Sequence, residues 1–310
     1  MEMIEYLLVR LLYNILHVMP VWAGKALAEM TAVIVGKGIR YRRDVVIDNL
    51  RHAFPEMTGS GMKRLLPAIY RHFTYLWFES LQGRRLGKDY FDQCFTAEGV
   101  EQITAKTGIG KPVILVSGHL ANFEWLGAFM TQYVPDLHAF MKRIHNSRVD
   151  RFIKNIRQKS GLYLIYADKQ ALRKGLKYLK QGKSLAIVGD QDVGERGIYV
   201  ELLNRPAATA KGTAVLHRMT GIPVYLCTAI RKNYGKFHVI IKQVPDQPAS
   251  DDKDLDIFTF TQRLSYMLEK MIRRHPEQYF WTHRRWKNQP GPEEYDRFRH
   301  NLSAYHKQSA

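Results

Sequence analysis

Apolar residues dominate the chain from Met3 to Gly36, but Arg10, Pro20, Lys25 and Glu29 interrupt the run. It therefore never reaches the roughly 18 to 20 consecutive apolar residues of a spanning helix. The pattern predicts helices that seek a membrane without defining a span. A pair of core helices in a soluble bundle is the competing reading, because short apolar helices of the two kinds share one pattern. The cluster Arg40, Tyr41, Arg42 and Arg43 follows directly. A basic cluster beside an apolar stretch is what the anionic cytoplasmic face of a membrane selects, which places the expected anchor at the inner leaflet. There is no basic segment followed by a small-residue cleavage site, so the stretch from Met1 to Ala23 does not read as a removable signal.

Between Met62 and Leu81 the apolar positions Leu65, Leu66, Ile69, Phe73, Leu76 and Trp77 recur with helical period, leaving Lys63, Arg64, Arg71 and Glu79 for other faces. This is an amphipathic helix with a bend expected at Pro67, and no chemistry is assigned to it. Beyond Lys88 the pattern changes. Short apolar runs (Val113 to Val116, Leu162 to Tyr166, Ser184 to Val188, Val224 to Ala229) alternate with charged segments of helical period, Val149 to Gln158 and Lys169 to Lys180. Strands alternating with helices predict an α/β sheet. Phe237 to Ile241 adds a strand near an edge, Phe258 to Arg274 a long helix, and the tail beyond Gln289 is polar and peripheral. The expected division is a helical, membrane-associating region over residues 1–88 and an α/β domain over residues 89–310.

Composition narrows the function. With 45% apolar residues and 12% aromatics the chain can pack a core, and 47 Lys and Arg against 29 Asp and Glu give a formal charge of +18. Such a field attracts anionic lipid, an acidic protein or nucleic acid. The sequence carries no RNP-like, zinc-finger or KH-type signature, which leaves nucleic acid the weaker partner. Cys94 and Cys227 are the only cysteines, without paired or metal-type spacing, as suits a reducing compartment.

The chemistry concentrates where the strand PVILVS runs into Gly118, His119, Leu120, Ala121, Asn122, Phe123 and Glu124 before a helical pattern begins. On one continuous helix His119 and Glu124 would lie about 140° apart. With His119 in the turn and Glu124 in the first helical turn, the carboxylate can fold back to the imidazole. The pair then reads as a general base oriented by an acid, acting on a substrate hydroxyl. A second segment, Gly189, Asp190, Gln191, Asp192, follows an apolar run at the end of a strand, where α/β folds place ligand contacts. Its carboxylates can bind a metal, accept from a positive side chain, or cap the loop. A metal-dependent hydrolase built on His119, Glu124, Asp190 and Asp192 is the rival enzyme class, and a basic binder without turnover the non-enzymatic one. The run Ala210 to Val224 is mostly scaffold. In Pro276 to Lys287, aromatics interleave with His283, Arg284, Arg285 and Lys287, a mixture suited to a lipid interface or to clamping phosphates.

Taken in order, these segments resemble the late (secondary) acyltransferases of lipid A biosynthesis. NLRHAFPE at Asn49 to Glu56, GHLANFEWLG, GDQDVG, TAKGTAVLHRMTGIPV and PEQYFWTHRRWK all look like motifs of that family. The resemblance implies a glycerolipid-acyltransferase-like sheet flanked by helices, behind an N-terminal membrane-associating region at the cytoplasmic face of the inner membrane. It implies transfer of a fatty acyl chain from a thioester on acyl carrier protein to a hydroxyl of a lipid A precursor, with no metal and no cofactor. A related acyltransferase acting on a lysophospholipid, glycosylated lipid or aminolipid is the alternative. By the likeness His119 is the general base and Glu124 its partner, while Asn122, Asn146, Asp190, Asp192, His283, Arg284 and Arg285 bind substrate. Where the family often has Arg and Pro before an Asn, this chain has Lys142, Arg143, Ile144, His145, Asn146. Lys142 and Arg143 are both candidates for the missing guanidinium, and only Arg143 has the fork geometry.

Overall fold

The computed structural model describes residues 2–82 and 88–309. The chain opens with helices α1 (Glu2–Val18) and α2 (Val21–Val33), the latter continuing into a π-helical turn at Ile34–Gly38. Helices α3 (Arg43–Ala53) and α4 (Gly59–Gln82) follow, and α4 runs through Pro67. The expected boundary between residues 88 and 89 borders the stretch 83–87, which lies outside the described residues. After it come α5 (Lys88–Cys94), β1 (Phe95–Glu98), α6 (Val100–Thr107), β2 (Ile114–Ser117), α7 (Phe123–Met130), β3 (His138–Met141), α8 (Ser147–Lys159), β4 (Tyr163–Tyr166), α9 (Ala171–Lys180) and β5 (Leu185–Val188). The chain closes with β6 (Ile198–Leu202), β7 (Arg205–Thr209), α10 (Gly212–Thr220), β8 (Val224–Asn233), β9 (Lys236–Gln243), α11 (Lys253–Arg274) and α12 (Pro292–Ser309).

The α/β expectation holds. The described residues form a 7-stranded sheet in the order β1-β9-β8-β2-β5-β3-β4, beside a separate β6–β7 hairpin. From β8 through β4 all pairings are parallel, and β9 runs antiparallel to β8. The predicted strand at Phe237 to Ile241 is β9, and β1 covers it as the edge. Four strands carry no clear signature in the sequence: β1, whose outward residues give it little apolar pattern, β3, and the β6–β7 hairpin following the acidic segment. The polar tail forms α12, seated through Phe298 and Tyr305 on a core shared with Val200 and Phe258.

Parallel strands need crossover helices, and those helices cover both faces of the sheet. One core lies between α7 and the sheet, with Trp125, Phe129, Tyr225 and Val239 among its members. On the opposite face Leu179, Leu216 and Phe260 close over Ile114, Val116 and Val224. A third core joins the N-terminal helices to the site: Val46, Leu50, Leu66 and Ile69 pack with Leu120, Leu268 and Trp281. Burying apolar side chains at about 1.5 to 3 kcal/mol each makes this attachment strong.

Helix α1 turns Met3, Ile4, Leu7, Leu8, Leu11, Leu12, Ile15 and Val18 to solvent, a continuous stripe at helical spacing. Trp22, Met30, Val33, Ile34 and Ile39 extend the apolar surface. No helix among the described residues is long and apolar enough to cross a membrane. Glu79 departs from its reading as part of a polar face, since it is fully buried.

Candidate active site

Strands β2 and β5 are parallel neighbours, with Ser117 in register with Val188. From β2 the chain continues through α7 towards β3 on one side, and from β5 it returns towards β8 on the other. The carboxyl ends of these two strands therefore form a topological switch point, where open α/β sheets leave a crevice. Residues two positions beyond each strand face one another there, and they are His119 and Asp190.

The contact is double. The His119 imidazole Nδ1 lies 2.5 Å from Asp190 Oδ1, and the His119 backbone N–H donates to Asp190 Oδ2 at 2.8 Å. Gly118 permits this approach, because a Cβ there would lie 2.7 Å from a Leu268 methyl and 3.1 Å from Asp190 Oδ2. Burial pushes the Asp190 pKa up, but the facing imidazole, its hydrogen bonds and the Arg285 charge outweigh burial and hold it below the ordinary carboxylate value. An ionised carboxylate only accepts, so Nδ1 carries a proton, and in the neutral ring the lone pair is on Nε2. The His119 side chain keeps 16% of its surface exposed while Asp190 keeps 4%. The arrangement is a buried acid behind an accessible imidazole.

Behind Asp190, buried Tyr279 stands beside both Asp190 and Arg285. Burial raises the Tyr279 pKa well above its ordinary value, keeping it a neutral donor. Arg285, expected to meet substrate, is 2% exposed and donates to the Ala208 carbonyl and to Thr209 Oγ1. Its place is under the site. Arg284, by contrast, is exposed.

Glu124 lies in the first turn of α7, as expected, but its carboxylate is not on His119. Arg157 of α8 grips it with Nε at 2.9 Å and a terminal nitrogen at 2.5 Å. Burial lowers the Arg157 pKa, and the Glu124 charge more than reverses that. Among the described residues His119 and Glu124 share no hydrogen bond, and the acid that touches the imidazole is Asp190. The reason is the register of β2 on β5, which a local motif does not contain.

The remaining candidates fall elsewhere. Asn122 is fully buried; its Oδ1 accepts from the Trp125 N–H, capping α7, and its Nδ2 donates to Glu79. Asp192 accepts from the backbone and side chain of Asn288 and from the Gly194 N–H, a loop-shaping role. His283 Nε2 accepts from the Asp192 N–H, and burial, aided by the Arg285 charge, depresses its pKa to about 4. It is therefore neutral near pH 7 and adds nothing to a cationic clamp. Asn146 caps α8 and donates to Glu2 and Glu5 of α1, 1% exposed. Lys142 is exposed, and Arg143 stacks over the Tyr166 ring with its guanidinium 4.2 Å from the centroid. The guanidinium on Glu124 comes from Arg157, in sequence one charge among many on a polar helix. No group of three or more His, Cys, Asp or Glu side chains among the described residues is placed to hold a metal ion. His119 and Asp190 face one another, while Glu124 and Asp192 turn to Arg157 and Asn288.

An accessible imidazole held by a buried carboxylate, at the switch point of a mainly parallel sheet, is an arrangement able to take a proton from a hydroxyl. The sequence profile of the bacterial lipid A biosynthesis acyltransferases matches residues 1–288, and the chain belongs to that family. It is thus an acyl-transferring enzyme. Two relatives come from Escherichia coli K12. The lipid A biosynthesis palmitoleoyltransferase is 24% identical over 258 residues, covering 81% of each chain. The lipid A biosynthesis lauroyltransferase is 26% identical over 265 residues, again covering 81% of each. A lipid A biosynthesis acyltransferase of Shigella flexneri matches at 24% identity over 258 residues, with the same coverage.

Proposed function

We propose that this protein transfers a fatty acyl chain from a thioester on acyl carrier protein to a hydroxyl of a lipid A precursor, with His119 as general base. The observation that carries the reading is the His119–Asp190 contact, which leaves Nε2 open. Nε2 takes the proton of the acceptor hydroxyl as its oxygen attacks the thioester carbonyl carbon. The carbon–sulfur bond then breaks, and the leaving thiolate recovers that proton from the imidazolium. Asp190 fixes the tautomer and stabilises the imidazolium, the role that the motif spacing gave to Glu124. Glu124 stays in the catalytic set through Arg157, whose guanidinium brings positive charge to the start of α7, where charge develops on the carbonyl oxygen.

The exposed apolar stripe of α1, with exposed Lys37, Arg40 and Arg42 beyond α2, supports a chain lying on the anionic cytoplasmic face of the inner membrane. The positive surface suits an acidic carrier protein as donor.

The test is acyl transfer from labelled acyl carrier protein to a tetra- or penta-acylated lipid A precursor, with products weighed by mass spectrometry. Product from the parent protein supports the reading. Transfer only to a lysophospholipid, glycosylated lipid or aminolipid would overturn the acceptor assignment and keep the chemistry.

A further inference from the structure

Between His119 and Glu124 the backbone makes a turn that an ordinary residue resists. Ala121 sits in the left-handed region with φ +50°, although it carries a Cβ. Such a conformation persists only where its surroundings hold it. The Ala121 N–H donates to the Gln278 carbonyl at 2.9 Å, and the His72 ring lies against the Ala121 backbone. The next residue, Asn122, donates to Glu79 Oε2 at 2.9 Å, which orients its amide so that Oδ1 faces the Trp125 N–H and starts α7.

Glu79 has no solvent exposure, yet four donors converge on its carboxylate: Asn122, two nitrogens of Arg231 at 3.0 and 2.6 Å, and the Gly235 N–H at 2.9 Å. Arg231 also donates to His72, and its backbone exchanges two hydrogen bonds with the Gln278 side chain. Burial first, and the Arg231 charge second, hold the His72 pKa well below its ordinary value, so the ring stays neutral and fits between Arg231 and Ala121. The polar groups of this cluster are matched donor to acceptor, the condition under which a buried polar network rigidifies its surroundings.

We propose that Glu79, on the N-terminal helix α4, is a positioning residue for acyl transfer. Through Asn122, and through Arg231 and His72 at Ala121, it fixes the turn that sets His119 and Glu124 in their working places. The N-terminal helical region is then part of the catalytic apparatus as well as a membrane-facing surface. This inference rests on the proposed acyl transfer for its activity readout, and has a second readout that does not.

The experiment compares the full-length parent with Glu79→Gln and Asn122→Asp. Asp caps a helix as well as Asn does, so Asn122→Asp removes the donor to Glu79 and keeps the cap. Each folded protein is assayed for kcat and KM, and for amide hydrogen exchange over residues 119–125. The single variants should lose kcat by about tenfold to a hundredfold with little change in KM, the scale of a misplaced catalytic group. Exchange over the turn should accelerate. Parent-like kcat and exchange in folded Glu79→Gln would overturn the proposal. If Glu79→Gln yields no folded protein, Glu79→Asp, which keeps the charge and shortens the reach, takes its place. A parent that transfers no acyl group would sink the proposed function, and hydrogen exchange would still decide whether Glu79 holds the turn.

Discussion

Asp190 holds His119 by two atoms at once, Oδ1 on the imidazole Nδ1 at 2.5 Å and Oδ2 on the backbone N–H at 2.8 Å. The double hold fixes the ring's tautomer and its position together. His119→Ala should therefore lower kcat/KM by roughly a hundredfold or more, the range for a general base. Asp190→Asn presents an amide to Nδ1, disturbs the tautomer, and should cost on the order of 10² to 10⁴ in kcat. Steady-state transfer assays check both. A folded His119→Ala protein with full activity would remove the mechanism.

Glu124 and Arg157 form a two-point pair whose side chains remain 22% and 26% exposed. Lysine cannot reproduce that fork. Arg157→Lys should lower kcat more than it lowers the melting temperature. In a double-mutant cycle Arg157→Lys and Glu124→Gln should prove non-additive, since they act on one contact. Additive losses would show that the pair does not work as a unit.

Gly118 leaves no room for a methyl group between Leu268 and Asp190. Gly118→Ala should destabilise by about 1 to 3 kcal/mol, as overpacking does, and reduce activity by spreading His119 from Asp190. Thermal unfolding alongside the assay checks it; a variant with unchanged melting and turnover would contradict the packing argument.

Stability should fall as pH drops from about 6.5 to about 4. The folded pKa of His283 is depressed to about 4 by burial and then by Arg285, and that of buried His72 is lowered by burial and Arg231. In that window the unfolded chain binds protons that the native chain refuses, so unfolding becomes easier as pH falls, by about 1 to 3 kcal/mol for one such histidine. Asp190, also depressed, adds its loss at still lower pH. Urea unfolding at pH 7 and pH 4.5 measures the difference, and His283→Gln should flatten it. An equal unfolding free energy at the two pH values would contradict the burial of these rings.

The exposed Leu8 and Leu11 of α1 belong to the apolar stripe. Replacing both with Glu should abolish co-sedimentation with anionic phospholipid vesicles while leaving the melting temperature within a few degrees. Retained vesicle binding would place the membrane contact on another surface.

The sequence determined which elements form. The period of apolar positions marked α4, the central strands and α11, because burial of one face is written in consecutive residues. It left β1 and β3 unmarked, being four-residue strands with weak alternation. It brought His119, Glu124 and Asp190 into view, since strand ends and helix starts are local features. Which acid meets the imidazole was decided by the register of β2 on β5, a pairing between segments about 70 residues apart. The roles of Arg157, Arg231 and Glu79 came from tertiary packing as well. In sequence each is one charge on an amphipathic segment, and only the folded chain shows whether a charge faces water or closes on a partner in the interior.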